Sequence, residues 1–583
     1  MASINIRIAG ANGDGIESAG STLIKIAAKN GFHVFGYRGY QSIIRGGHVW
    51  YQIRIGEEKL YSCGNGIDIL VAISQDCITN QAEHLNDNAI VIYDPRSVKV
   101  DALGGRYRLI PIPLLEFAVQ VSGTKPFMRN MVAIGAMLKI IGMDIGIVEH
   151  AVRSMFGRKG EAAVAENLKA AELGYNYPGI TKMYDLKGDG THRRTLDGNA
   201  AFSIGMYAGG CKLYAGYPMT PASTILQWFA SHEHKGVMVK QTEDEITAIN
   251  TAIGAATAGV RAACGTSGGG FSLMVEGLGF AGMVEAPVVI AISQRTGPST
   301  GLPTKTEQAD LLFTMHASQG EFPRIVVAPR SVEECFYIGG EALNLAERYQ
   351  CPVLVLLDLF LSEHVETVDE LDVDRIKVDR GKLLNGADGA AVVSGRFKRY
   401  LYTDDGVSPR GVFGTPGLEH IAPSDEHDEF GSLVSDAFAG IGPHIETRVK
   451  MHEKRMRKID TMLKNESVFR PGVENPDADY FFVTWGSSTL AVKEAVAMLG
   501  REGHRFGIIS FDFLMPLDRE ATRSALAGKR LIDVECNFTA QLAQVVMLNT
   551  GIDIKERILR YDGEALTSKE IAFRALGIMK RLK

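Results

Sequence analysis

A chain of 583 residues is too long for one hydrophobic core; at roughly 150 residues per domain it implies about three or four. Charged residues make up 22% and hydrophobic ones 45%, and 62 basic against 68 acidic side chains leave a formal charge of −6, without the basic excess that nucleic acid or an anionic membrane attracts. The first residues, MASINIRIAG, alternate like a strand and lack the basic start and apolar core of a signal peptide. The longest apolar stretches, such as EAPVVIAIS and CPVLVLL, fall far short of the roughly 18 residues a membrane span needs. A cytoplasmic chain with no membrane segment and no nucleic-acid partner is expected.

In chain order, residues 1–185 open with strand INIRIAG, a glycine turn and helix IESAGSTLIKIAAKNG, then continue as alternating strands and helices, an α/β unit. Residues 186–198, LKGDGTHRRTLDG, are polar and aperiodic, as a linker is. Residues 199–375 repeat a short apolar strand, a loop rich in Gly, Pro, Ser or Thr, and a helix. Strands CKLYAGY, GVMVKQ, VRAACGT, APVVIAISQ, RIVVAP and CPVLVLL predict parallel pairing through right-handed crossovers, a doubly wound sheet. Residues 376–470 join the turn-rich TDDGVSPRGVFGTPG to a charged helix, RVKMHEKRMRKIDTMLKNE, which reads as a solvated face or a subunit contact. Residues 471–583 form a third α/β unit through ADYFFVTWGSS, RFGIISFDF and RLIDVECN. Seven cysteines (Cys63, Cys77, Cys211, Cys264, Cys335, Cys351, Cys536) stand singly, without C-x-x-C or a histidine at metal-ligand spacing. They read as buried apolar side chains, and no metal site or iron–sulfur cluster is expected in this chain.

A parallel sheet delivers the loop after every strand to the same carboxyl edge. There PMTP, TEDE, SGGG and RTGPSTGLPT should converge. Pro218 and Pro221 stiffen the backbone around Thr220 on an extended segment; this is either a strand exit before helix STILQWFASH or a preorganised donor. Thr242 and Glu245 match a capping box that would tie Glu245 to the Thr242 amide, before a helix whose Ile246, Ile249, Ile253 and Ala256 share a face. Arg295 is either a surface arginine or a bidentate grip for a carboxylate. Ser267-Gly268-Gly269-Gly270 either brings backbone amides up to an anion or ring, or serves tight helix packing.

Together YPMTP, EDE before an alanine-rich helix, and QRTGPSTGLPT resemble the α subunit of 2-oxoacid:ferredoxin oxidoreductases with the γ domain fused at its amino terminus. The resemblance spans the whole chain: GANGDG and IIRGGH in a γ-like domain, a pyrimidine-type thiamin diphosphate domain, and a transketolase-carboxyl-terminal-like domain with VECNFTAQLAQ. Met219 stands where the family usually has isoleucine. The resemblance implies that Glu245 hydrogen-bonds the aminopyrimidine of thiamin diphosphate and favours its imino tautomer. It also implies that Thr220, Arg295 and Thr304 line the 2-oxoacid pocket, and that Ser267, Gly268 and Gly269 touch the cofactor. The capping box and this role for Glu245 exclude each other. The G-D-G followed about thirty residues later by Asn-Asn that holds the diphosphate in thiamin enzymes is missing: Gly13-Asp14-Gly15 lies in another domain and Gly188-Asp189-Gly190 in the linker. A β subunit is therefore implied to bring the diphosphate, Mg2+ and an iron–sulfur cluster that serves ferredoxin, in an (αβ)2 assembly, with coenzyme A taking the acyl group. Arg45-Gly46-Gly47 reads as a turn beside a surface arginine or, by analogy, as a contact for coenzyme A phosphates. KRYLYTDDGVSPRG resembles the 2-oxoglutarate members more than the pyruvate ones; pyruvate and branched-chain acids stay open. Two rival readings are a noncatalytic subunit and a nicotinamide enzyme, but Gly10, Gly13 and Gly15 do not space as G-x-G-x-x-G, and HVFGYR ends without an acidic residue.

Overall fold

The computed structural model describes residues 3–41, 46–123, 128–386, 392–393, 395–434 and 443–582; Arg45 lies outside the described residues. The chain divides into one unit of Met1–Asp197, Glu363–Glu370 and Thr567–Lys569, and a second of Gly198–Ser362, Leu371–Leu566 and Glu570–Lys583.

In the first unit Ile4, Ile6 and Ile8 bury one side of strand Ser3–Asn12, and helix Ile16–Lys29 starts at Gly15, whose φ of 77° suits glycine. The sheet runs Arg108–Pro111, Leu85–Tyr93, Ile67–Ala72, Ser3–Asn12, Gly46–Gly56, His33–Gly39, Val365–Val368, Arg194–Asp197. The first four strands are parallel, but Gly46–Gly56 inserts antiparallel between Ser3–Asn12 and His33–Gly39. A nicotinamide fold needs its first two strands side by side so that the end of the second reaches the ribose. The intervening strand removes that arrangement. Residues Arg194–Asp197, read from sequence as linker, form an edge strand against Val365–Val368.

In the second unit the six expected strands appear as Leu213–Gly216, Met238–Gln241, Ala262–Thr266, Val288–Gln294, Ile325–Val327 and Val353–Asp358, all parallel. The spatial order is Phe513–Met515, Ile325–Val327, Val353–Asp358, Val288–Gln294, Ala262–Thr266, Leu213–Gly216, Met238–Gln241, with Phe513–Met515 antiparallel at the edge. The central strands are buried along their length, as a sheet with helices on both faces requires. A five-stranded sheet follows: Gly472–Glu474, Phe506–Phe511, Tyr480–Trp485, Leu531–Glu535, Glu556–Leu559, parallel except for the first.

The charged helix corrects the sequence reading. In Pro443–Asn465, residues Met451, Lys454, Arg455, Lys458 and Met462 form a buried stripe at helical spacing, not a solvated face. Glu285, 1% exposed at the amino end of strand Val288–Gln294, supplies the countercharge: Lys454 Nζ lies 2.6 Å from Oε1 and Lys458 Nζ 2.5 Å from Oε2. The lysines hold the Glu285 carboxyl far below the ordinary carboxylate range against the cost of its burial. Residues of the turn-rich insert dock beside them. Arg399 donates to Glu285 O (3.2 Å), Gln350 Nε2 to Ser408 O (2.6 Å), and Arg410 to Ala256 O (3.3 Å). Glu285, Gln350 and Ala256 all lie just before strands, so this docking is at the amino edge of the parallel sheet.

Candidate active site at the carboxyl edge of the parallel sheet

Strand order reverses at Leu213–Gly216, with Met238–Gln241 on one side and Ala262–Thr266 on the other. Ligands bind in the crevice at such a switch point in open parallel sheets. PMTP leaves the reversing strand and folds as a turn rather than the expected extended segment. Ser223 N donates to Met219 O (3.0 Å), and buried Asn199 donates to Pro221 O (2.9 Å) and Thr224 Oγ1 (2.7 Å). Helix Ser223–Ser231 starts directly after it.

Of the two exclusive readings of Thr242 and Glu245, the capping box does not form. Asp244 caps helix Glu245–Thr257, its Oδ1 accepting from Thr247 N at 2.8 Å, while Thr242 Oγ1 donates to Asp244 O at 2.8 Å. Glu245 is released from capping, and it falls in register with Ala248, Ile249, Ala252, Ile253 and Ala256, all buried. Ile246, expected on that face, is exposed instead, because the buried stripe is centred one residue away. A carboxylate thus heads an apolar stripe, 3% exposed, with the neutral Thr266 hydroxyl 3.5 Å from its Oε1. Gly270 makes this possible: a Cβ there would lie 2.4 Å from Glu245 Oε1 and 2.0 Å from Thr266 Oγ1.

Met219 joins the loops. Its sulfur accepts from Ser267 Oγ at 2.7 Å and lies 3.7 Å from Thr266 Oγ1. Arg295 Nη1 donates to Thr220 O at 2.8 Å, so the arginine loop meets the PMTP turn through the threonine carbonyl. Ser267 precedes helix Gly268–Met283 without capping it, since its hydroxyl serves Met219. Tight packing accounts for Gly268 and Gly270, whereas Gly269 is exposed with only Ser299 O near its Cβ direction, at 3.7 Å. Thr304 is half-buried in a turn closed by Lys305 N to Leu302 O (3.0 Å), and Thr296 N donates to Lys305 O (3.0 Å), folding that turn back towards Arg295.

The carboxyl-terminal module clamps the next stretch of this loop, which the sequence did not foretell. Gln308 Nε2 donates to Trp485 O (3.1 Å), its Oε1 accepts from Ser488 Oγ (2.6 Å) and Cys536 N (3.1 Å), and its carbonyl accepts from Asn537 (3.0 Å). Gln541 reaches Ala309 O (2.7 Å) and Leu312 N (3.0 Å). The residues VECNFTAQ are thereby a brace for the loop that follows Arg295.

The site suits one end of thiamin diphosphate. A buried carboxylate facing a neutral hydroxyl can accept a hydrogen bond from an aminopyrimidine. The diphosphate has no such match in the two Gly-Asp-Gly triplets: Asp14 accepts Ala11 N (2.9 Å) and pairs with Arg129 (2.7 Å), and Asp189 pairs with Arg193 (2.6 Å). Elsewhere in the first unit, a cavity of about 950 Å³ is lined by Gly13, Gly15, Lys25, Arg38 and Trp50. There too His48, Asp76 and Cys77 bring ligating atoms within 4.8 Å of one another, a grouping that sequence spacing hides; His48 and Asp76 are hydrogen-bonded at 3.0 Å. All seven cysteines are unbridged and six are buried.

Residues 204–429 match the family described as pyruvate flavodoxin/ferredoxin oxidoreductase, thiamine diP-bdg, and residues 5–177 match pyruvate ferredoxin/flavodoxin oxidoreductase. The chain is 33% identical to the 2-oxoacid:ferredoxin oxidoreductase subunit alpha of a Sulfolobus species, over 98% of this chain and 96% of that one. It is 28% identical to the 2-oxoglutarate oxidoreductase subunit KorA of Mycobacterium tuberculosis, over 98% and 91%. A 2-oxoglutarate:ferredoxin oxidoreductase from Magnetococcus marinus, solved with 2-oxoglutarate, coenzyme A and succinyl-CoA bound, superposes with a TM-score of 0.90 at 30% identity, covering 99% of each chain. The chain therefore belongs to the α subunits of the 2-oxoacid:ferredoxin oxidoreductase family, one part of a multisubunit oxidoreductase.

Proposed function

We propose that this subunit presents a 2-oxoacid to thiamin diphosphate shared with a β subunit, for coenzyme A-dependent oxidative decarboxylation or its reverse. The contact chain Glu245–Thr266–Met219–Ser267, beside the Arg295–Thr220 bond at one sheet edge, carries this reading. Bound thiamin diphosphate supplies the electron sink for decarboxylation. Glu245 accepts a hydrogen bond from its aminopyrimidine, Arg295 grips the substrate carboxylate, and Thr220 and Thr304 line the pocket. Ser267 and Gly269 border the cofactor, with Gly268 holding their turn. 2-Oxoglutarate is the favoured substrate, ahead of pyruvate and branched-chain acids; the names of the Mycobacterium and Magnetococcus relatives support it. The insert KRYLYTDDGVSPRG does not add a pocket argument, because its Arg399, Ser408 and Arg410 bonds go to the amino edge.

The β subunit is proposed to bring the diphosphate site, Mg2+ and an iron–sulfur cluster that reduces ferredoxin, in a cytoplasmic (αβ)2 assembly. Exposed Tyr217, Ile246 and Leu273 around the carboxyl edge support cover by another subunit. Among the described residues no helix is long and apolar enough to cross a membrane. The large cavity of the first unit supports a second ligand there, and coenzyme A is the one the reaction requires. The test is Glu245→Gln in the assembled complex, assayed as 2-oxoacid-dependent viologen reduction. Turnover should fall on the order of 10²–10⁴-fold with assembly intact. Undiminished turnover would favour a noncatalytic subunit.

A further inference from the structure

Six residues beyond Thr304, the substrate loop delivers a second carboxyl to the glycine turn. Asp310 stands at the cap position of helix Leu311–His316, where aspartate ordinarily accepts an amide of the first turn, yet its side chain makes no capping bond. Its amide is tied to Gln294 Oε1 (3.1 Å), one residue before Arg295, and its carboxyl lies against Gly268. A Cβ at Gly268 would sit 2.4 Å from Asp310 Oδ2, just as one at Gly270 would sit 2.4 Å from Glu245 Oε1. Two carboxyl side chains therefore close on alternate residues of one turn. Asp310 Oδ2 is shielded from solvent and has no hydrogen-bond partner.

We propose that Asp310 is a positioning residue for the catalytic turn, its ionised carboxylate bracing Gly268 at the amino end of helix Gly268–Met283 and thereby holding Ser267 and Glu245 in register. The inference rests on the proposed role of Glu245. An anion at that helix end is favoured by the unsatisfied amides and the dipole. Burial works the other way and, together with the charge of Glu307 on the same loop, raises the Asp310 carboxyl to about 6. Gly268 and Gln294, from the neighbouring elements, bring no charge. The brace is then ionised above pH 6 and protonated below it, and Asp310→Asn imitates the protonated state at every pH.

The experiment compares wild type, Asp310→Asn, Gly268→Ala and Glu245→Gln as assembled complexes, measuring kcat and KM for the 2-oxoacid from pH 5 to 8. Wild-type kcat should fall as pH drops through about 6. Asp310→Asn should lower kcat about tenfold at pH 8, remove that limb, and leave KM within about threefold, because Arg295 is untouched. Gly268→Ala, which pushes the carboxyl off the turn, should do the same. An Asp310→Asn complex that keeps the wild-type limb and kcat overturns the proposal, as does a tenfold loss with the limb unmoved. If Asp310→Asn fails to assemble, Gly268→Ala decides in the same way; failure of both to assemble counts against a positioning role. An inactive Glu245→Gln with an unaltered Asp310→Asn rejects this inference alone, whereas an active Glu245→Gln rejects the catalytic reading beneath it.

Discussion

Arg295 donates through Nη1 to the Thr220 carbonyl, which orients the plane of its guanidinium beside the PMTP turn. A planar fork held in one orientation is suited to a carboxylate, which it meets with two parallel bonds. Arg295→Ala should therefore raise KM for the 2-oxoacid about tenfold to a hundredfold, the worth of charge-assisted hydrogen bonds, with a smaller change in kcat. Saturation of the variant by every 2-oxoacid at wild-type concentrations would remove Arg295 from the pocket. Residue-scale reading of the sequence placed Arg295 where the structure has it, between strand Val288–Gln294 and a Gly- and Pro-rich loop. It faltered where local signals compete. T-x-x-E describes Thr242 to Glu245, but Asp244 stands two residues closer to Thr247 than Thr242 does and takes the cap. Met219 stands where the family usually has isoleucine, and its sulfur is the joint between two loops, a contact across 48 residues that no local pattern encodes.

At the scale of elements, helix Pro443–Asn465 is held through charges turned inward. Glu285 faces Lys454 and Lys458 in a pocket closed to water, where an uncompensated charge is costly. Glu285→Gln should destabilise this unit by about 3–5 kcal/mol, read as a lowered unfolding midpoint, and added salt should not mimic the loss because buried pairs are poorly screened. A midpoint equal to wild type would mean the lysines are not dependent on Glu285. Composition concealed this: a run rich in Lys and Arg reads as solvated unless its spacing is followed, and Met451, Lys454, Lys458 and Met462 do follow a helical stripe. The parallel strands were legible because short apolar runs such as VVIAIS, flanked by glycine and proline, suit a sheet covered on both faces. Strands Arg194–Asp197 and Phe513–Met515 were not, since each pairs with sequence-distant chain at a sheet edge.

Across the whole molecule, uniform strand polarity gathers a glutamate, a threonine and an arginine separated by up to 75 residues at one crevice. The carboxyl-terminal module contributes by gripping Gln308, so the loop after Arg295 is supported from outside the sheet that bears it. What this chain offers at that edge is a buried carboxylate and an arginine, and the exposed apolar residues around them suit a partner subunit. The most direct measurement is a structure of the purified complex with thiamin diphosphate and 2-oxoglutarate bound. The account predicts a Glu245 carboxylate oxygen within hydrogen-bond distance of the aminopyrimidine and Arg295 on the 2-oxoacid carboxylate. A cofactor ring seated at the amino edge of the sheet, or out of reach of Glu245, would contradict it.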